Sequence, residues 1–177
     1  MNGTPDLTQF PIDYTDRNGQ RRAFLAFPDP IQIEFEHRCW EFRIGTQAAP
    51  DQVNLGRFFQ LKLIERDGGW WRIDMIGQTS GYTEFECCGC PDEVILAVAR
   101  RFHLLICSST AQECQTVKAR SVWLCLRQRF ETTPGDFRVE EREGRFCLTP
   151  SAKAELAACE AEPATGTNHP NPTPAQL

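Results

Sequence analysis

Four residues in the middle of the chain have types and a spacing that could bind a metal ion. Cys87, Cys90, His103 and Cys107 follow the pattern C-x2-C-x12-H-x3-C. Two thiolates three residues apart in a turn can reach one tetrahedral zinc ion, and a histidine and a cysteine four residues apart lie on one face of a helix. The pattern predicts a zinc site and indicates no other cofactor.

Two other interpretations of these residues stay open. Free cysteines are among the most buried residue types, so the four residues could simply belong to the core. Cys90 could instead be a reactive thiol at a helix N-terminus, with His103 or His37 as its base. A straight helix would hold Cys90 and His103 about 20 Å apart, which counts against both a catalytic pair and a shared metal.

The elements that position these residues are predicted from helix and turn signals. Pro91, followed by two acidic residues, predicts a helix over residues 91–105. Thr110 and Glu113 form a capping box ahead of a second helix over residues 111–130. A hairpin turning at Glu143-Gly144 and a short third helix over residues 151–160 follow.

The first half of the chain has the alternating pattern of strands. Hairpins are predicted around Asn18-Gly19 and around Asp67-Gly68-Gly69, because these residues suit tight turns. The apolar residues Ile33 and Phe35 have odd numbers, whereas the apolar residues that alternate after Cys39 have even numbers. A bulge or tight turn near residues 36–39 is therefore predicted. Trp70 and Trp71 must point to opposite faces of their strand.

These elements predict an α+β fold with an antiparallel β-rich N-terminal half of about five to seven strands, followed by a helix–helix–hairpin–helix C-terminal half. The predicted division is a loose N-terminus at residues 1–9, a β-rich region at 10–90, a helical region at 91–160 and a disordered proline-rich tail at 161–177. The helical region has the element order of a winged helix.

The winged-helix interpretation predicts a nucleic-acid surface. The second helix would enter the major groove, and the basic residues near phosphates would be Lys118, Arg120, Arg142 and Arg145. Three glutamates in the predicted wing and a net charge of −5 oppose binding to DNA.

Composition limits the class of protein. The 177 residues are 41% hydrophobic, which is enough for a core, and no apolar run is long enough to cross a membrane. Nine cysteines, an odd number, without a secretion signal predict reduced thiols in a cytoplasmic protein. The preference for arginine over lysine suggests a bacterial or phage source.

The function predicted from the sequence is a non-enzymatic intracellular binding protein that acts through protein–protein contacts. Its partner surface is predicted at Trp70 and Arg72, where an aromatic ring and a cation lie close together. The sequence contains no phosphate-binding loop, no GxSxG and no HExxH motif, which disfavours an enzyme. A nucleic-acid-binding regulator and a cysteine-dependent enzyme are the alternatives, and the oligomeric state stays open.

Overall fold

The structure is a computed structural model that describes residues 7–16, 18–46, 57–78, 89–113 and 115–152. Within these residues the chain forms nine strands and two α-helices. In chain order they are β1 (Phe10–Thr15), β2 (Arg21–Pro28), β3 (Gln32–Glu34), β4 (His37–Thr46), β5 (Arg57–Arg66), β6 (Trp70–Gln78), α1 (Cys90–Phe102), β7 (Leu105–Cys107), α2 (Val117–Thr132), β8 (Phe137–Arg142) and β9 (Arg145–Pro150).

The nine strands form one sheet. Its order is β1-β2-β4-β5-β6-β7-β9-β8, and the short strand β3 pairs with the start of β4. Neighbouring strands are antiparallel except for β6 and β7, which are the parallel pair among the described strands. A parallel pair needs a crossover connection, and α1 lies in the connection between these two strands.

The predicted fold class is wrong, because the two halves of the chain share one sheet. The first helix was predicted to run to residue 105, but it ends at Phe102. His103 adopts the left-handed conformation with φ 52°, and the N–H groups of His103 and Leu104 both donate to the carbonyl of Ala99. The chain then leaves the helix as β7, which joins the C-terminal hairpin β8–β9 to β6.

The helix–helix–hairpin–helix order is wrong as well. The capping box predicted at Thr110 and Glu113 forms, but it closes a 3-10 turn at Ala111–Glu113. The α-helix begins later, where the Thr116 side chain accepts a hydrogen bond from the Ala119 N–H at 3.1 Å. Most of the predicted third helix and the tail lie outside the described residues.

Both helices cover the same face of the sheet. Phe102 at the end of α1 packs against the rings of Phe10, Trp40 and Phe42 at centroid distances of 5.7, 4.5 and 5.6 Å. Trp123 on α2 stacks on Phe146 of β9 at 6.2 Å. The core therefore lies between this face and the helices, and polar side chains such as Glu41, Arg43 and Lys62 lie on the opposite face.

Candidate functional site

An open groove of about 790 Å³ lies at the end of the sheet where three turns meet. The β3–β4 turn, the 3-10 turn at Asp67–Gly69 and the β8–β9 turn surround it. These turns contribute, in chain order, Glu36, His37, Arg38, Arg66, Asp67, Trp70, Arg142, Glu143 and Arg145. Arginines, carboxylates and one indole therefore share a surface beside two buried thiols, Cys107 and Cys147.

The floor of the groove, formed by Cys107, Arg145 and Cys147, lies on the face of the sheet away from the helices. Phe146 and Leu148 point toward the helices, so Arg145 and Cys147 of the same strand point the other way. Cys107 is the register partner of Cys147 and lies on the same side.

Glu113 is the electrostatic centre beside this floor. Its carboxylate accepts hydrogen bonds from Arg145, from Arg72 Nη1 at 2.9 Å and from Arg66 Nη2 at 3.4 Å. The Thr110 N–H also donates to it at 2.9 Å. The hydrogen bonds from Arg145 hold the pKa of Glu113 well below its usual range, so the carboxylate stays ionised at neutral pH.

The β3–β4 hairpin forms an apolar projection beside the groove. Its two-residue turn, Phe35-Glu36, has positive φ at both positions, 48° and 67°. Phe35 is 95% exposed and Ile33 is 73% exposed. We call Ile33, Phe35 and Glu36 the tip. A two-residue turn of this kind prefers asparagine and glycine, so a phenylalanine there is an unusual choice.

The tip is held in place by the strand beneath it. Lys62 Nζ on β5 forms an ion pair with Glu34 Oε2 at 2.6 Å, which links the short strand β3 to the centre of the sheet. Arg38, the second residue of β4, donates from Nη1 to both carboxylate oxygens of Glu65 at 3.0 Å. These pairs fix the hairpin on both sides of its turn and leave the apolar side chains outside.

The structure separates two members of the predicted zinc site. Cys90 begins α1 and is buried, whereas His103 caps the other end of this helix and is exposed. Thirteen residues of helix place them about 20 Å apart. Cys87 lies outside the described residues, and no group of three or more potential ligands occurs within the described ones. Zinc binding stays a prediction from spacing, and the distance between Cys90 and His103 opposes it.

The separation of about 20 Å also divides the predicted nucleophile, Cys90, from its first candidate base, His103. The other candidate base, His37, lies exposed at the groove, whereas Cys90 is buried at the start of α1.

The four residues of the predicted nucleic-acid surface lie on different sides of the sheet. Lys118 and Arg120 are exposed on α2, and Arg120 lies over the Phe146 ring on the helix side. Arg145 is on the groove side, where it is bound to Glu113. Arg142 Nε donates to Glu140 Oε2 at 2.9 Å. Carboxylates within the chain therefore already hold two of the four cations.

Of the predicted partner surface, Trp70 lines the groove, whereas Arg72 does not line it and has a side chain that is only 14% exposed. Trp71 is buried in the core against Trp40, and Trp70 on the opposite face lines the groove with Arg66. Arg72 pairs with Glu113 and with Asp74. The sequence reasoning missed the exposure of Ile33 and Phe35, because their alternation indicated a strand with a buried face.

No described helix has both the length and the apolar character that a membrane span requires. Comparison with protein-family models, with curated proteins and with solved structures finds no match for this chain.

Proposed function

We propose that this protein is a non-enzymatic binding protein that acts through protein–protein contacts, with Phe35 at the centre of the contact. One observation carries the proposal: a 95% exposed phenylalanine in a left-handed turn position. The left-handed conformation costs about 1–2 kcal/mol for a residue with a Cβ atom. Burying a phenylalanine side chain is worth about 1.5–3 kcal/mol, which the isolated fold forgoes. A partner that covers Phe35 would recover that energy.

The tip has the composition of a binding hot spot. Aromatic anchors dominate the binding energy of protein interfaces when neighbouring contacts exclude water from them. Ile33 adds apolar area beside Phe35, and the ion pair between Lys62 and Glu34 holds the hairpin before binding. A preorganised projection loses little conformational freedom when it binds.

The charge beside the anchor defines the chemistry of the partner. Glu36 follows Phe35 directly and is exposed, so the partner is a protein with an apolar pocket that has basic residues on its rim. The groove next to the tip carries both arginines and carboxylates, which suits polar contacts around such an anchor.

Site-specific cross-linking in cells of the source organism tests this proposal. A photo-reactive phenylalanine analogue replaces Phe35 in one variant and Val117 in another. Val117, at the start of α2, is 87% exposed and serves as the matched control. We expect one dominant cross-linked protein from position 35, absent from position 117 and lost when Glu36→Lys is added.

Affinity measured by calorimetry with the purified partner completes the test. We expect Phe35→Ala to weaken binding by about 30-fold or more, which corresponds to about 2 kcal/mol, and Val117→Ala to leave it unchanged. Equal cross-linking from the two positions, cross-linking to nucleic acid, or a cross-linked dimer of the chain itself would contradict the proposal.

A further inference from the structure

Two thiols face each other across neighbouring strands in the groove. Cys107 of β7 and Cys147 of β9 are register partners in an antiparallel pair, and both are free thiols. The adjacent Ser108 N–H donates to the Phe146 carbonyl at 2.8 Å, so that neighbouring pair is the hydrogen-bonded one. Hydrogen-bonded and non-hydrogen-bonded pairs alternate, which makes Cys107 and Cys147 a non-hydrogen-bonded pair.

This register satisfies the geometric requirement of a disulfide. The Cα atoms of a non-hydrogen-bonded antiparallel pair are about 4.5 Å apart, and the side chains point to the same face. Disulfides span Cα separations of about 4.4–6.8 Å. The two strands can therefore be linked without moving the backbone out of the sheet.

We propose that Cys107 and Cys147 form a reversible cross-strand disulfide, with a peroxide or a small-molecule disulfide such as glutathione disulfide as the oxidant. With hydrogen peroxide, the Cys147 thiolate attacks one oxygen and becomes a sulfenic acid, and the other oxygen leaves as hydroxide and takes up a proton. The Cys107 sulfur then attacks the sulfenic sulfur and expels a second water. Two thiols and one peroxide give one disulfide and two waters.

Cys147 is the first nucleophile because the pKa of Cys107 is raised further. Burial raises the pKa of both thiols, that of Cys107 to about 11, and arginines act in the opposite direction on each, Arg142 and Arg145 on Cys147 and Arg145 and Arg72 on Cys107. The thiolate is the reacting form, and its fraction rises tenfold per pH unit below the pKa. We therefore expect the rate of oxidation to rise about tenfold per unit between pH 7 and pH 9.

The disulfide would link the β8–β9 hairpin covalently to the rest of the sheet. The strands β7 and β9 share two register pairs, Ile106 with Leu148 and Cys107 with Cys147. The hairpin β8–β9 and the helix α2 that packs on it join the sheet through this short ladder. A disulfide here closes a long loop that contains α2 and β8, so we expect the thermal midpoint to rise by about 5–10 °C on oxidation.

Peptide mapping after oxidation tests the proposal. Trypsin gives residues 146–153 with Cys147 as the single cysteine, and residues 102–118 with Cys107 and Cys114. The variant Cys114→Ser removes the ambiguity, so a linked pair of these peptides then identifies the Cys107–Cys147 bond. We expect this pair after treatment with hydrogen peroxide or glutathione disulfide, and its loss after dithiothreitol.

Two variants supply the controls. Cys107→Ser should abolish the linked peptide and the rise in thermal midpoint, whereas Cys39→Ser, which replaces a buried thiol on β4, should leave both unchanged. The mapping in Cys114→Ser does not depend on whether Cys107→Ser folds. Absence of the linked peptide after complete thiol oxidation, or linkage of Cys147 to another cysteine, would overturn the proposal.

Discussion

The β3–β4 and β8–β9 hairpins both turn through two residues with positive φ, Phe35-Glu36 in one and Glu143-Gly144 in the other. Both turns border the groove. The first turn position holds a residue with a Cβ atom in both hairpins, Phe35 with φ 48° and Glu143 with φ 50°. The second position is Gly144 in the β8–β9 turn, which adopts positive φ without steric cost, but Glu36 in the β3–β4 turn. The β3–β4 turn therefore holds two residues in a conformation that favours glycine, and the β8–β9 turn holds one.

The side chains around the two hairpin turns also differ. Near the β8–β9 turn, Arg142 is bound to Glu140 and Arg145 to Glu113, so the charges stabilise the fold itself. At the β3–β4 turn the apolar side chains meet no partner large enough to bury them. The ion pairs at the β8–β9 turn thus stabilise the fold, and the exposed side chains at the β3–β4 turn are the part of the groove that the proposed function assigns to contact with a partner.

Removing the charge of Glu113 should have the largest effect on stability. Glu113→Gln removes the carboxylate that three guanidinium groups share, of which Arg72 keeps its contact with Asp74, so we expect the free energy of unfolding in urea at pH 7 to fall by about 2–3 kcal/mol. Glu131→Gln on the exposed side of α2 is the control and should cost less than about 0.5 kcal/mol. Equal losses in the two variants would contradict the structural role of Glu113.

The pH dependence follows from the direction of the Glu113 shift. The pKa of its carboxyl is lower in the folded protein than its ordinary value of 4.5. The stability that it contributes is therefore present above pH 4.5 and is lost as the pH falls below that value. The difference between the wild type and Glu113→Gln should narrow in urea titrations between pH 4.5 and pH 3.

Replacing the two positive-φ residues of the tip should raise the stability of the fold, whereas removing the charge of Glu113 should lower it. The double variant Phe35→Asn with Glu36→Gly gives the turn its preferred residues and removes a side chain that is almost fully exposed. We expect the free energy of unfolding to rise by about 1–2 kcal/mol, while binding to the partner is lost. A fall in stability would show that Phe35 belongs to the fold and would break the comparison.

The smallest change in stability is expected at Gly144 in the β8–β9 turn. Gly144 has φ 74°, and a Cβ atom there would meet no atom within 4 Å, so the cost of Gly144→Ala is conformational. We expect the free energy of unfolding to fall by about 1 kcal/mol in urea denaturation. Gly77→Ala in β6, where φ is not positive and space is also open, should cause no loss.

Local sequence signals predicted several of the hairpins in the sheet. The hairpin around Asp67-Gly68-Gly69 and the one at Glu143-Gly144 form as predicted, and the chain turns at Phe35-Glu36, next to the predicted change of parity. The two glycine-containing turns depend on a few neighbouring residues, so the local sequence specifies them, whereas only the change of alternation indicated the turn at Phe35-Glu36. Met75 is exposed although it lies two residues after the buried Ile73, because a register shift opposite Lys62 and Leu63 turns it outward.

Features that join distant parts of the chain were not predictable from spacing. The pairing of β7 with β6 and β9 depends on His103 ending α1 one turn early, and a histidine is a weak signal for that. Glu113 was expected to cap a helix, and its three arginines come from β5, β6 and β9. The groove exists only because these long-range pairings bring the three turns together.

The parallel pair β6–β7 has a consequence for synthesis on the ribosome. Strands β1 to β6 pair antiparallel with strands one or two places away in the chain, so they can assemble as they emerge from the exit tunnel. The edge of β6, including Trp71 and Ile73, then stays unpaired until α1 and β7 have been translated. An unpaired apolar edge of this kind is a site of aggregation, so nascent chains stalled before β7 should depend on chaperones more than the complete protein does.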